Sequence, residues 1–261
     1  RSGMESAFSL KIVPCVNTEG ARRGSRLVPA DSADLNRSFP GSRNGPLSER
    51  LAHALSLLAS SCDIVVDVHT AGWCIPFVIL DDIREERLSA QVRSAALSSG
   101  LPVVNEMTSR AAELQGLDGS FSAWATRTGK KAFTMELPGT TGVDPTGART
   151  GREALKKIIR GTSSFTNFET EAKTAQKIFY RRKEIYSNIQ GFFVPGACPG
   201  DTLFGGEDLG LVVPLNEYTI PHGIASSPGM KGSFVLAVNP CSSVFPGSWI
   251  ITVAEKVGEE R

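Results

Sequence analysis

The chain has 261 residues, 41% of them hydrophobic and 21% charged, with a formal net charge of +1. Lys and Arg are scattered, which argues against nucleic acid or an anionic membrane as partner, and no apolar run reaches the length of a bilayer span. The length suits one large domain or two unequal ones.

The opening residues, Arg1 to Ser6, lack the apolar core of a signal peptide. Residues 10–17 read as a buried strand ending in a loop, with Pro14 at a bulge or near the strand end because it has no N–H for a ladder. Residues 18–39 read as a long functional loop rich in Arg, Gly, Ser and Asp. Residues 47–59 carry Leu51, Ala54, Leu55 and Leu58 at helical spacing. Residues 63–68 are a nearly continuous β-branched run, as in a strand covered on both faces. A strand at 77–80, helices at 85–98 and 120–128 closed by Gly100 and Gly129, a strand at 132–137 and a basic helix at 151–160 follow.

This alternation predicts an α/β domain with a largely parallel, flanked sheet over residues 1–165. Residues 162–173 read as a connection. Beyond about residue 175 short β-like runs alternate with Gly/Pro turns, which predicts a small all-β module within residues 166–261. The five cysteines (Cys15, Cys62, Cys74, Cys198, Cys241) are far apart and form no CxxC, so they read as reduced thiols of a cytoplasmic protein. Residues 140–145 read as a surface loop or as a lid over the site.

Ligands of such sheets gather beyond the carboxyl ends of strands. Two chemically capable residues fall there. His69, one of three histidines, ends the β-branched run; it is a metal ligand or a satisfied structural histidine. Glu136 ends the 132–137 strand; it is a partly desolvated general base or a carboxylate facing solvent. Arg22, Arg23, Arg26 and Arg37 crowd one loop with Asp31 and Asp34. They read either as surface ion pairs, or as an Arg that polarises a carbonyl beside an Asn36–Arg37 grip on a carboxylate. There is no P-loop, no GxGxxG and no GxSxG.

Four stretches occur in order: residues 12–20 (IVPCVNTEG), 34–41 (DLNRSFPG), 67–70 (DVHT) and 134–139 (TMELPG). With them the chain resembles the succinylglutamate desuccinylase/aspartoacylase family, a branch of the zinc carboxypeptidase superfamily, across about residues 8–160. The resemblance implies a zinc-carboxypeptidase-like, mostly parallel or mixed sheet flanked by helices, followed by a small barrel-sandwich-like β module. Residues 219–224 are similar to a hairpin turn of that module.

The resemblance further implies that His69 is a zinc ligand, that Glu136 is the general base and that Arg26 polarises the carbonyl. Asn36 and Arg37 would hold the substrate carboxylate. The family's other two zinc ligands come from a His-x-x-Glu motif that precedes residues 10–13, and they are expected from an N-terminal segment outside this chain. The expected activity is zinc-dependent hydrolysis of an N-acyl amino acid or similar small carboxylate-bearing amide. A metallocarboxypeptidase acting on peptides and a metal-free carboxylate-binding remnant are the alternatives. The partners expected are a small-molecule substrate, no nucleic acid and no membrane; a homo-oligomer is left open.

Overall fold

The computed structural model describes residues 9–81, 86–139, 144–163, 178–215, 220–240 and 242–259. The 140–145 loop, the connecting segment, Cys241 and the start of the 219–224 turn fall wholly or largely outside them.

The 10–17 segment is not a strand. It is irregular, with Ile12 73% and Leu10 58% exposed. Among the described residues no strand pairs with it, so its apolar side chains have no ladder to join. Asn17 then caps helix α1 (Thr18–Arg23), its Oδ1 accepting from Gly20 N at 2.9 Å, and Gly24 ends the helix at φ 61°. The following loop closes on helix α2 (Leu47–Ser60). The buried face of α2 is centred on Ala52, Ser56 and Ala59, with Leu58 exposed. Those small residues let the 39–41 backbone approach, and the Ser56 hydroxyl donates to Pro40 O at 3.1 Å.

Strands β1 (Ile64–Thr70), β2 (Trp73–Cys74) and β3 (Phe77–Leu80) follow, then α3 (Glu86–Leu97) and β4 (Val103–Asn105). Next come α4 (Ser109–Leu114), α5 (Phe121–Arg127), β5 (Lys131–Leu137) and α6 (Pro145–Ser163). The remaining strands are β6 (Ile178–Tyr186), β7 (Gly191–Pro195), β8 (Thr202–Leu203), β9 (Asp208–Pro214) and β10 (His222–Ala225), then β11 (Ser233–Val238), β12 (Ser242–Val244) and β13 (Trp249–Glu259).

The large sheet has the order β1-β5-β3-β4-β6-β13-β11-β2, with β8 also on β11. It is mixed. β1 and β5, β3 and β4, and β4 and β6 are parallel, whereas β3 and β5 are antiparallel. The chain reaches β3 from β1 without a helical crossover, so nothing forces β3 parallel to β1. The two ends of the order, β1 and β2, are separated in sequence only by Ala71 and Gly72, so the sheet curls until its ends meet. Gly72 and Gly139 exchange backbone hydrogen bonds of 3.0 Å at that point.

β10-β9-β7-β12 form a separate antiparallel sheet, while β6, β11 and β13 extend the large one. The two sheets share a core around Phe193, Leu209, Val212, Val235 and Ile251. On one face of the large sheet α3 and α6 cover Val78, Leu80, Phe133 and Met135. On the other, α2 and α5 cover Val65 and Ala132. Each fully buried side chain of this size contributes roughly 1.5–3 kcal/mol. No helix among the described residues is long and apolar enough to cross a membrane.

Candidate active site

His69 and Glu136 stand side by side in the parallel β1–β5 register, so their side chains share one face of the sheet. Strand alternation places Asp67 on the same face, and its Oδ2 lies 2.9 Å from His69 Nε2. Burial pulls the imidazole pKa down, but the Asp67 carboxylate, its hydrogen bond and the nearby Glu136 outweigh this and push it up to about 9. Glu136 is half-buried overall, yet its Oε2 is fully buried and has no hydrogen-bond partner. Burial raises the Glu136 pKa, against the opposing pull of His69 and Arg182. A carboxylate with a vacant acceptor in a dry setting is poised to take a proton from a ligand.

The Asp34-Leu35-Asn36-Arg37 stretch forms a short 3-10 turn over Leu35–Arg37. Asp34 caps it: Oδ1 accepts from Asn36 N at 2.9 Å, and Oδ2 takes the Arg26 guanidinium at 2.9–3.0 Å. Asn36 Oδ1 accepts from Phe121 N at 2.8 Å, which aims Nδ2 at His69 Nε2, 3.5 Å away. Phe39, Phe121 and Trp124 pack beneath the turn with ring centroids 4.7–6.4 Å apart. Arg37 donates from Nε to Gln115 O at 3.1 Å and from NH1 to its neighbour Asn36 O at 2.7 Å. Burial lowers its pKa.

The structure therefore brings Asn36, His69 and Glu136 together, with Arg37 bonded to the same turn. Arg26 is mostly exposed and turned toward Asp34, though its charge is felt at both His69 and Glu136. Of the other histidines, His53 lies on α2 and His222 begins β10.

Sequence reasoning gave no role to several groups around the site. Asp67 stood in the quoted motif, and the i, i+2 spacing to His69 on a strand was the signal for it. Arg182, on β6, is 14% exposed and gripped by Glu106 and Glu184, each at 2.7 Å. Its stretch, Arg181-Arg182-Lys183-Glu184, looks like a solvated charge run and gives no hint of burial. Asp81 hydrogen-bonds Ser122 and leaves Oδ2 buried without a partner; burial pushes its pKa up to about 6.

A catalytic zinc takes three protein ligands and keeps a fourth position open. His69 suits one of them, because Asp67 occupies Nε2 and leaves Nδ1 available. Among the described residues no group of three or more His, Cys, Asp or Glu is arranged to hold a metal ion, so these residues do not complete such a site.

A mixed, helix-flanked sheet with a His–Glu pair at the carboxyl ends of two parallel strands defines an α/β protein with a strand-end polar site. The model of the succinylglutamate desuccinylase/aspartoacylase catalytic domain matches residues 7–162, more than half of the chain, and the chain belongs to that family. It is 32% identical over 161 residues to the N-alpha-acetyl-L-2,4-diaminobutyric acid deacetylase of Halomonas elongata, a match covering 59% of this chain and 43% of that protein. The matched region is thus less than half the length of that curated relative.

Solved structures share the fold. One is a succinylglutamate desuccinylase/aspartoacylase from Rhodobacter sphaeroides, with TM-score 0.75 and 24% identity over 94% of this chain and 74% of that one. Another is an aspartoacylase family protein from Mesorhizobium loti, with TM-score 0.72 and 24% identity over 95% and 74%. A third is the product-bound ectoine utilization protein EutE (DoeB) from Ruegeria pomeroyi, with TM-score 0.75 and 20% identity over 94% and 74%.

Proposed function

We propose that the chain carries the substrate-binding and proton-transfer half of a zinc-dependent amidohydrolase that removes the acyl group from an N-acyl amino acid. The observation that supports it is the convergence of Asn36, His69 and Glu136 on one sheet face, with Arg37 on the same turn. The relative's deacetylase activity on an acetylated diamino acid points the same way.

In this reading Arg37 and Asn36 take the carboxylate of the substrate, since a guanidinium fork and an amide donor match its two oxygens. Arg26, with a side chain free to leave the exposed pair with Asp34, neutralises the oxyanion that develops on the amide carbonyl. Glu136 takes the proton of the attacking water on its vacant oxygen and delivers it to the leaving amine. His69 would hold the metal through Nδ1, with the other two ligands supplied from outside the described residues. Zinc so held would activate the water and polarise the carbonyl. Cys15, Cys62, Cys74 and Cys198 are all free thiols, which supports a cytoplasmic setting.

The test is turnover of the polypeptide extended to include a His-x-x-Glu segment, loaded with zinc, on a panel of N-acyl amino acids and of peptides. Cleavage of the N-acyl panel supports the deacylase; cleavage of peptides alone supports a carboxypeptidase instead. Unchanged turnover in Glu136→Gln would sink the assignment of the base.

A further inference from the structure

The family model ends at residue 162, and β6 begins at Ile178. Yet β6 reaches the site. Arg182 donates from Nε to Glu106 Oε1 and from NH1 to Glu184 Oε1, both at 2.7 Å, and the three side chains are 12–14% exposed. The second oxygen of Glu184 accepts from Gln115 Nε2 at 3.3 Å and from the Tyr186 hydroxyl, which also meets Gln115. The carbonyl of Gln115 accepts from Arg37 Nε at 3.1 Å. Next to it Gly116 has φ 64°, and a Cβ there would sit 3.5 Å from Arg37 Cδ. A continuous chain of contacts thus runs from β6 to Arg37.

Two carboxylates on one buried guanidinium are costly to desolvate and are weak evidence for a stabilising role. They do fix every member in place. Arg182 loses its rotamer freedom to Glu106 and Glu184, Glu184 is left with one geometry for Gln115, and the Gln115 main chain is pinned where Arg37 needs an acceptor. A planar donor fork binds a carboxylate well only when its plane is set in advance.

We propose that Arg182 and Glu184 are positioning residues of the site: through Gln115 they hold Arg37 in the orientation with which it takes a carboxylate. The inference rests on the reading of Arg37 as the carboxylate grip. It gives the strand beyond the family's catalytic segment a share in ligand recognition, though it touches no ligand itself.

The test uses the folded chain and two probes, N-acetylglycine and its primary amide, with binding followed by NMR titration. The wild type binds the acid more tightly than the amide. Arg37→Gln removes that preference. Glu184→Gln and Gln115→Leu, chosen because they keep side-chain size, weaken acid binding about fivefold, the scale of one lost hydrogen bond, and leave amide binding unchanged. If Arg37→Gln abolishes the preference while both network variants retain it, the positioning role is overturned and the grip stands. If the preference survives Arg37→Gln, the grip falls and the inference with it. A loss of acid and amide binding in equal measure in the network variants marks a merely structural role and also overturns the proposal.

Discussion

Oδ2 of Asp67 and Nε2 of His69 are 2.9 Å apart, two positions along one strand, so the carboxylate decides which ring nitrogen carries the proton. In the neutral ring Nε2–H donates to Asp67, and Nδ1 keeps its lone pair. The 3.5 Å approach of Asn36 Nδ2 to the same nitrogen is too long to compete with a charge-assisted bond. At a pH well above 9, where the ring is neutral, its nitrogen resonances should show a proton on Nε2. Asp67→Ala should give a mixture of both tautomers. A mixture already present in the wild type would remove Asp67 as the orienting group.

Glu136→Gln separates function from stability. Its carboxylate is buried with one oxygen unpartnered and its pKa is raised by burial. Folding therefore shifts the group toward its neutral form relative to the unfolded chain, so keeping it ionised costs stability. Gln removes that cost and cannot accept a proton. In the extended, zinc-loaded protein turnover should fall by about 10²–10⁴, while the thermal unfolding midpoint holds or rises. A lower midpoint would mean that Glu136 is held by contacts its geometry does not show.

Gly41 lies four residues beyond Arg37, where the chain leaving that turn passes α2. It has φ 77°, and a Cβ there would lie 2.2 Å from Glu49 O and 2.5 Å from His53 N. Both are backbone atoms of α2, which cannot yield without moving the helix. Gly41→Ala should destabilise the fold by about 2–4 kcal/mol, from the strained dihedral and the clash together. Denaturant unfolding followed by far-UV circular dichroism measures it.

Asp81 gives the fold a pH dependence of its own. Its pKa is pushed up to about 6 from 3.8, by burial first and by Glu106 as well, against Ser122, Arg182 and Arg127. Because the folded value is the higher one, the group's stabilising contribution is complete below about pH 3.8 and disappears as pH rises through 6. Asp81→Asn should cancel this component, about 2–3 kcal/mol, flattening the stability profile between pH 4 and 7. Unfolding midpoints across that range report it, and an unaltered slope would rule Asp81 out as the source.

Much of the site was legible because its residues are local. Asp34, Asn36 and Arg37 sit within one turn of chain, and a β-branched run identifies the strand that ends in His69. The helices at 47–59, 85–98 and 120–128 fall within a residue or two of those found wherever the structure describes them. What failed was long-range. The 10–17 segment has a strand's composition, but a strand needs a neighbour, and composition does not say whether one is present. Arg182 became a buried ion through Glu184 on its own strand and Glu106, 76 residues away. β11 and β13 read as part of a small β module, yet with β6 they join the sheet of the helical half, a choice made by edge pairing that alternation of residue types does not encode.

The meeting of the sheet's first and last strands bears on how the protein can move. His69 and Glu136 each lie three residues from the Gly72–Gly139 bridge, and from there Trp73 and Cys74 pair with Val238 and Ala237 on β11. A shift of β11 is thereby handed along two residues of chain to the strand that bears His69, while the same shift also travels the long way round through β13, β6, β4, β3 and β5. The His69–Glu136 pair sits where these routes converge. Residues of β11 and β13 that touch no ligand are thus linked through the sheet to His69 and Glu136, whose own separation is set by the direct β1–β5 pairing.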